Sequence, residues 1–265
     1  MVRGWYIGAS GMNAQQSRLD AISNNLANVD TTGYKRDVAV NKAFSELLLR
    51  RMGDDGVYQL PSGTGDRAPI IGKIGLGVET NEFYTIFEQG SFKATASNVD
   101  AALDGEGFIA VQTPAGERYT RNGAFKLGKE GILETKDGYP VLGENGLIRL
   151  SDDRITVTQD GGIYSQETGG LIDRFRTVRF DNERYLKKEG TSFWRETPHS
   201  GPPHVAEEGE RPRFLQGYVE TSNVNVVNEM VQMIEVNRAY EANQKTIQAE
   251  DSMMTTLWTR VTNLR

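Results

Sequence analysis

The chain has 265 residues, of which 37% are hydrophobic and 25% charged, with a formal net charge of -6, two histidines and no cysteine. The missing cysteine excludes disulfides, thiol catalysis and cysteine-ligated metals, and the acidic balance argues against a nucleic-acid binder. So low an apolar share suits an elongated protein, or one whose core is completed by partners.

The N-terminus, MVRGWYIGASGMNAQQ, carries one basic residue and a broken apolar patch. It lacks the continuous apolar region of a cleaved secretory signal. No apolar run along the chain is long enough to span a membrane, so no membrane insertion is expected. Trp5, Met12, Leu19 and Leu26 recur every seven residues, with Gly8, Gln15, Ile22 and Val29 three positions further on. Residues 1–50 are expected to form an N-terminal assembly helix. Three asparagines, Asn24, Asn25 and Asn28, cluster near Gly33. Asparagine is a poor helix former. Such residues can stop a helix, or their uncharged amides can tie neighbouring chains together through paired donors and acceptors.

Residues 51–82 are rich in Gly and Pro, most densely in LPSGTGDRAP, and read as an extended connector. From residue 83 to about 215 short apolar runs alternate with turn signals. FIAVQT, ILET and ITVT are punctuated by Asp104-Gly105, Asn122-Gly123, Asp137-Gly138 and Asn145-Gly146. This texture predicts an all-β domain of hairpins.

Residues 216–265 read as a C-terminal assembly helix, with neither Gly nor Pro after Gly217. Val226, Met233, Tyr240, Ile247, Met254 and Val261 are spaced by seven and all apolar. Their companions Glu229, Val236, Asn243, Glu250, Leu257 and Leu264 are half polar. One strong and one weak seam over a helix roughly 60 Å long point to assembly with other helices. SNVNVVNE again places asparagines (Asn223, Asn225, Asn228) at a helix end. The whole pattern predicts an α+β chain, with long coiled-coil-type helices at both ends flanking a central all-β domain.

The search for chemistry gives little. His199 and His204 lie in a Pro-rich loop without a third ligand or a zinc spacing. Gly105-Glu106-Gly107 and the Gly72, Gly75, Gly77 series lack a following phosphate loop or helix start. Asp152-Asp153 and Glu207-Glu208 are sequence neighbours, which point apart on a strand. RYLKK (184–188) reads as a solvated turn rather than a nucleic-acid patch. No catalytic, cofactor or metal residues are assigned.

SNNLANVDTTGYKR (23–36) resembles the N-terminal signature of the bacterial flagellar rod and hook proteins, which centres on N-N-x-A-N and a following G-[FY]-[KR]. GYVETSNVNVVNEMVQMIEVNRAYEANQK (217–245) is similar to their C-terminal signature. QGSFKAT, AALDGEGFIAV, RYTRNGAF and DGYPVLG follow the family's order between residues 89 and 143. The likeness covers both ends and about half of the β domain, and thins between 163 and 215. There is room for one β domain, as in a rod subunit rather than a longer hook protein. LPSG and GYVETSNVNV resemble the distal rod type. GYPVLGENGLI (138–148) looks more like the proximal type, which is preferred.

The resemblance implies a structural, non-enzymatic subunit without cofactor, exported by the flagellar secretion apparatus without a cleaved signal. It implies a helical tube of copies of this chain and other rod/hook-family subunits, crossing the periplasm as the basal-body rod and transmitting motor torque to the hook. By correspondence, Asn24, Asn25, Leu26, Ala27, Asn28, Ser222, Asn223, Val224 and Asn225 belong to packing of the inner wall. The heptad positions Met12, Leu19, Ile22, Val29, Val226, Met233, Tyr240, Ile247, Met254 and Val261 are read as subunit interface as well. Rival readings are an enzyme on the β domain and a β-tipped adhesin or fibre on a coiled-coil stalk.

Overall fold

A computed structural model describes residues 2–50, 57–60, 63–66, 70–206, 209 and 211–262. Helix α1 spans Val2–Ala27 and helix α2 spans Val226–Thr262, with strands between them, an α+β chain. The chain divides into two compact units. A terminal unit comprises Met1–Ala21, Ala39–Phe83 and Val231–Arg265; a β unit comprises Ile22–Val38 and Tyr84–Met230.

The first helix is shorter than the expected segment 1–50. It stops at Ala27, and strands Asp37–Ala43 and Leu47–Arg50 follow. The physical reason lies in the asparagine cluster and Gly33, whose φ of 68° no helix accommodates. The expected connector is in part a set of strands: Leu47–Arg50 pairs with Ile70–Ile74, and Val57–Leu60 with Gly63–Asp66. Its stretches 51–56, 61–62 and 67–69 lie outside the described residues.

In the terminal unit, α1 meets α2 through a glycine face. Gly4, Gly8 and Gly11 lie opposite Glu250, Ile247 and Asn243. A Cβ added at Gly8 would stand 2.8 Å from Ile247 Cγ1, closer than carbon atoms pack. Bare backbone here lets the helices approach. The packing face therefore runs through Gly8, and Trp5 of the other seam is 37% exposed. On α2 the half-polar seam likewise turns inward: Val236 is buried and Asn243 and Glu250 face α1, while Tyr240, Met254 and Val261 of the apolar seam are exposed.

The β unit is built on a six-stranded antiparallel sheet. Its order is Lys187–Glu189, Phe193–Arg195, Gly116–Thr120, Phe108–Thr113, Thr177–Arg179, His204–Val205. The continuous apolar run FIAV buries both faces, as alternation along a strand requires. Ile109 and Val111 enter one core with Leu133, Ile148 and Phe175. Phe108 and Ala110 enter another with Tyr119, Val178 and Trp194. Ile155–Val157, Gly162–Ser165 and Leu171–Arg174 form a three-stranded antiparallel sheet whose Ile155 and Ile163 join the first core. Two further pairings bring in the C-terminal half: Arg213–Gln216 with Ala101–Asp104, and Tyr218–Glu220 with Phe92–Ala94. The segment 216–265 thus opens as a strand of the β unit, and its helix begins only at Val226.

Candidate functional site

The asparagine signatures of the two ends meet in the β unit. Asn25 is 2% exposed. Its Oδ1 accepts the Asp37 N–H at 2.9 Å and its Nδ2 donates to the Asp37 carbonyl at 2.9 Å. The side chain thus pairs with a strand residue as a neighbouring strand would, which needs a donor and an acceptor on one neutral head. Tyr34 Oη also donates to Asn25 Oδ1, at 3.1 Å. Nδ2 lies 3.4 Å from Glu229 Oε2, in the first turn of α2.

Asn223 repeats the device from the other end of the chain. Its Oδ1 accepts the Arg36 N–H at 2.9 Å, and its Nδ2 donates to the Ile86 carbonyl at 2.8 Å. The Ile86 N–H in turn donates to the Arg36 carbonyl at 2.9 Å. One amide completes the pairing of two backbone segments.

Beneath these amides lies an ion pair. Lys35 Nζ donates to Glu220 Oε1 at 2.5 Å and to the Glu88 carbonyl at 2.7 Å, with both side chains fully buried. Glu220 Oε1 also accepts the Gly90 N–H, and the Glu220 carbonyl accepts the Gly33 N–H, each at 2.8 Å. Burial pushes the Lys35 ammonium below the usual lysine range, while Glu220 pulls it back. Lys188 closes the top: its Nζ donates to Asp37 Oδ2 at 2.8 Å and sits 3.8 Å from the Tyr34 ring centroid. Burial, then Asp37 and Glu229, push the Tyr34 phenol well above the usual tyrosine range. Gly33 is needed twice, for its φ of 68° and because a Cβ would come within 2.6 Å of the Asn122 backbone.

Asn28 and Asn225 cap helices. Asn28 Nδ2 donates to the Asn24 carbonyl at 2.8 Å, satisfying one of the last carbonyls of α1. Asn225 Oδ1 accepts the Asn228 N–H at 3.1 Å, as an N-cap residue does. Most donors and acceptors here are matched to the protein's own groups, Glu220 Oε2 being buried without a hydrogen-bond partner. The arrangement holds a chain together; it presents no nucleophile with a base beside it.

The structure places the other expected interface residues as follows. Ile22 and Val224 are buried in the β unit with Asn25, so their contacts are spent within the subunit. Met12, Leu19, Leu26, Asn28, Val29, Ser222, Asn223, Val226, Met233 and Ile247 are half-buried. Asn24, Ala27, Asn225, Tyr240, Met254 and Val261 are exposed. Reading by heptads missed further outward apolar positions of α2, among them Val227, Val231 and Ile234, which are 68%, 50% and 52% exposed. Their i, i+4, i+7 spacing was the signal. His204 lies 3.5 Å from Asp181 on the surface, and no cluster suited to a metal ion occurs among the described residues. No helix among them is long and apolar enough to cross a membrane.

Comparison with known proteins covers the segments that form this junction. The family described as "Flagella basal body rod protein" matches residues 6–35. "Flagellar hook protein FlgE/F/G D1 domain" matches 102–165, and "Flagellar basal body rod FlgEFG protein C-terminal" matches 215–259. The flagellar basal-body rod protein FlgG of Buchnera aphidicola subsp. Acyrthosiphon pisum is 36% identical over 263 residues, covering 96% of this chain and 98% of the relative. FlgG of Bacillus subtilis is 32% identical over 264 residues, covering 96% and 97%. The rod protein FlgF of Caulobacter vibrioides is 35% identical over 242 residues, covering 89% of each. With its termini, its β unit and nearly its full length matched in this way, the chain belongs to the flagellar basal-body rod protein family.

Proposed function

We propose that this chain is a structural subunit of the bacterial flagellar rod, packing with copies of itself and with other rod- and hook-family subunits. The tube they form crosses the periplasm and carries motor torque to the hook. The observation that carries the reading is the outer face of α2. Val231 and Ile234 are half exposed, and from residue 251 to 262 every side chain is exposed, Trp258 at 74%. A helix with bulky apolar side chains in water is a surface awaiting partners. Coiled-coil-type packing of both helices, engaging Tyr240, Met254 and Val261, would cover it. A stiff tube of packed helices transmits torque without any reaction or cofactor, and a contact that does not close into a ring generates a helical assembly.

Export through the flagellar apparatus without a cleaved signal belongs to the same reading. FlgG and FlgF relatives match at similar identity. The preference for a proximal position in the rod therefore rests on the likeness of residues 138–148 alone.

The test is removal of the chain from cells that carry it, followed by imaging of isolated basal bodies. Rods that stop short, with loss of swimming restored by the full chain, are expected. Complete rods in its absence would overturn the reading.

A further inference from the structure

Two asparagine–glycine pairs punctuate the β unit, Asn122-Gly123 and Asn145-Gly146. Such a pair is chemically unstable wherever the chain is free to move. The glycine backbone nitrogen attacks the asparagine Cγ, with no Cβ in its way. The N–Cγ bond forms, the Cγ–Nδ2 bond breaks, and the proton of the glycine N–H leaves with Nδ2 as ammonia. Solvent water then opens the cyclic imide at either carbonyl, giving aspartate or isoaspartate. No oxidant or reductant takes part.

The fold treats the two pairs differently. Asn122 is 7% exposed. Its Oδ1 accepts the Thr32 hydroxyl at 2.8 Å and the Ala124 N–H at 3.0 Å. The Gly123 carbonyl accepts the Ala101 N–H at 3.0 Å, and a Cβ on Gly123 would lie 2.0 Å from the Ala101 carbonyl oxygen. Side chain and following peptide are both clamped. Asn145 and Gly146 are exposed at the tip of the hairpin in which Leu142 pairs with Leu147 and Gly143 with Gly146. Gly146 has a φ of 122° and open space where a Cβ would stand. Asn145 Nδ2 donates to Asp173 Oδ1 at 3.0 Å, and the same oxygen accepts the Asn145 N–H at 3.3 Å.

We infer that Asn145 is a site of spontaneous deamidation, coupled through Asp173 to the neighbouring strand, and that Asn122 is protected. Asp173 is 5% exposed, and its Oδ1 also accepts the Arg174 N–H at 2.8 Å. A carboxylate at position 145 takes one donor from Asp173 and sets negative charge beside it. Isoaspartate also adds a carbon to the main chain within a two-residue turn, so Gly146 leaves its place opposite Gly143. The tie between this hairpin and the strand Leu171–Arg174 therefore weakens irreversibly with age. This chemistry is independent of the rod role.

The full-length chain would be aged at mildly alkaline pH, folded and in urea, then digested. Peptides would be scored by mass and by labelling with an isoaspartyl methyltransferase. In the folded sample the product at Asn145 should accumulate. The product at Asn122 should form roughly tenfold more slowly or less, because reaction there waits for local opening. In urea the two sites should react at comparable rates. Asn145→Asp should lower the denaturant midpoint, and adding Asp173→Asn should restore it, since the exchanged pair regains a donor. Asn145 left intact in folded protein after the urea sample has reacted would overturn the inference. So would Asn122 keeping pace with Asn145 in folded protein. An Asn145→Asp midpoint equal to the parent's would overturn the coupling to Asp173.

Discussion

Lys35 and Glu220, 185 positions apart in sequence, form an ion pair from which solvent is excluded on both sides. It joins the segment after α1 to the strand before α2. The polar signatures of the two ends thereby become the fastening of one subunit. Glu220→Ala leaves the Lys35 ammonium buried without its partner. A loss of about 3–5 kcal/mol is expected from such a break, read as a lower denaturant midpoint. The double variant Lys35→Met, Glu220→Leu should lose less than Glu220→Ala alone. A Glu220→Ala midpoint equal to the parent's would show that the pair does not hold the junction.

Asn25 separates hydrogen bonding from charge. Asn25→Asp keeps the shape and the bond from the Asp37 N–H, but loses donation to the Asp37 carbonyl and sets a second carboxylate beside Glu229. Asn25→Ala removes both bonds without adding charge. A loss of about 1–3 kcal/mol is expected for Ala and a larger one for Asp. Equal stability of the two variants in chemical denaturation would contradict the geometry.

Tyr34 and Tyr119 are both buried with phenols held well above the usual range, and in both burial is the leading cause. The unfolded chain releases these protons near pH 10, whereas the folded chain keeps them. Their contribution to stability is complete below that pH and declines as pH rises towards the folded values. Tyr34 and Tyr119 should stay silent in the alkaline absorbance titration until the protein unfolds. Tyr34→Phe should remove one phenol from the silent amplitude. Titration of both phenols near pH 10 in folded protein would refute the burial argument.

Gly8 tests the helix pair apart from the β unit. Any side chain there meets Ile247 at 2.8 Å from its first carbon. Gly8→Leu should strip amide-exchange protection from α1 up to Ala21 and leave the six-stranded sheet protected as before. Unchanged protection in α1 would mean that the close approach is unnecessary. Ile247 belongs to this inward contact, so a charge placed there would damage the subunit before it damaged assembly.

These residues also show what could be read from the sequence. FIAV was legible as a strand because four successive apolar residues fit a strand with both faces buried. The caps were legible because Asn28 and Asn225 act within four residues of themselves. The role of Asn25 was not, since its partner Glu229 is 204 positions away and only the folded chain brings them together. The seams of α2 misled for a different reason. Heptad spacing identifies faces but does not say which turns inward, and the glycines on α1 lie opposite Asn243, Ile247 and Glu250, drawn from both seams. Tyr240, Met254 and Val261 of the apolar seam are exposed.

That division of labour, polar signatures fastening the subunit and an apolar helix face joining it to others, is tested most directly by Val231→Asp with Ile234→Asp. Both positions are half exposed on α2, so the isolated variant should unfold within about 0.5 kcal/mol of the parent. Counting rods in basal bodies from cells whose only copy is this variant is the deciding measurement. Few or no complete rods, with an unchanged unfolding midpoint, is the predicted result. Rods in normal number would contradict the account.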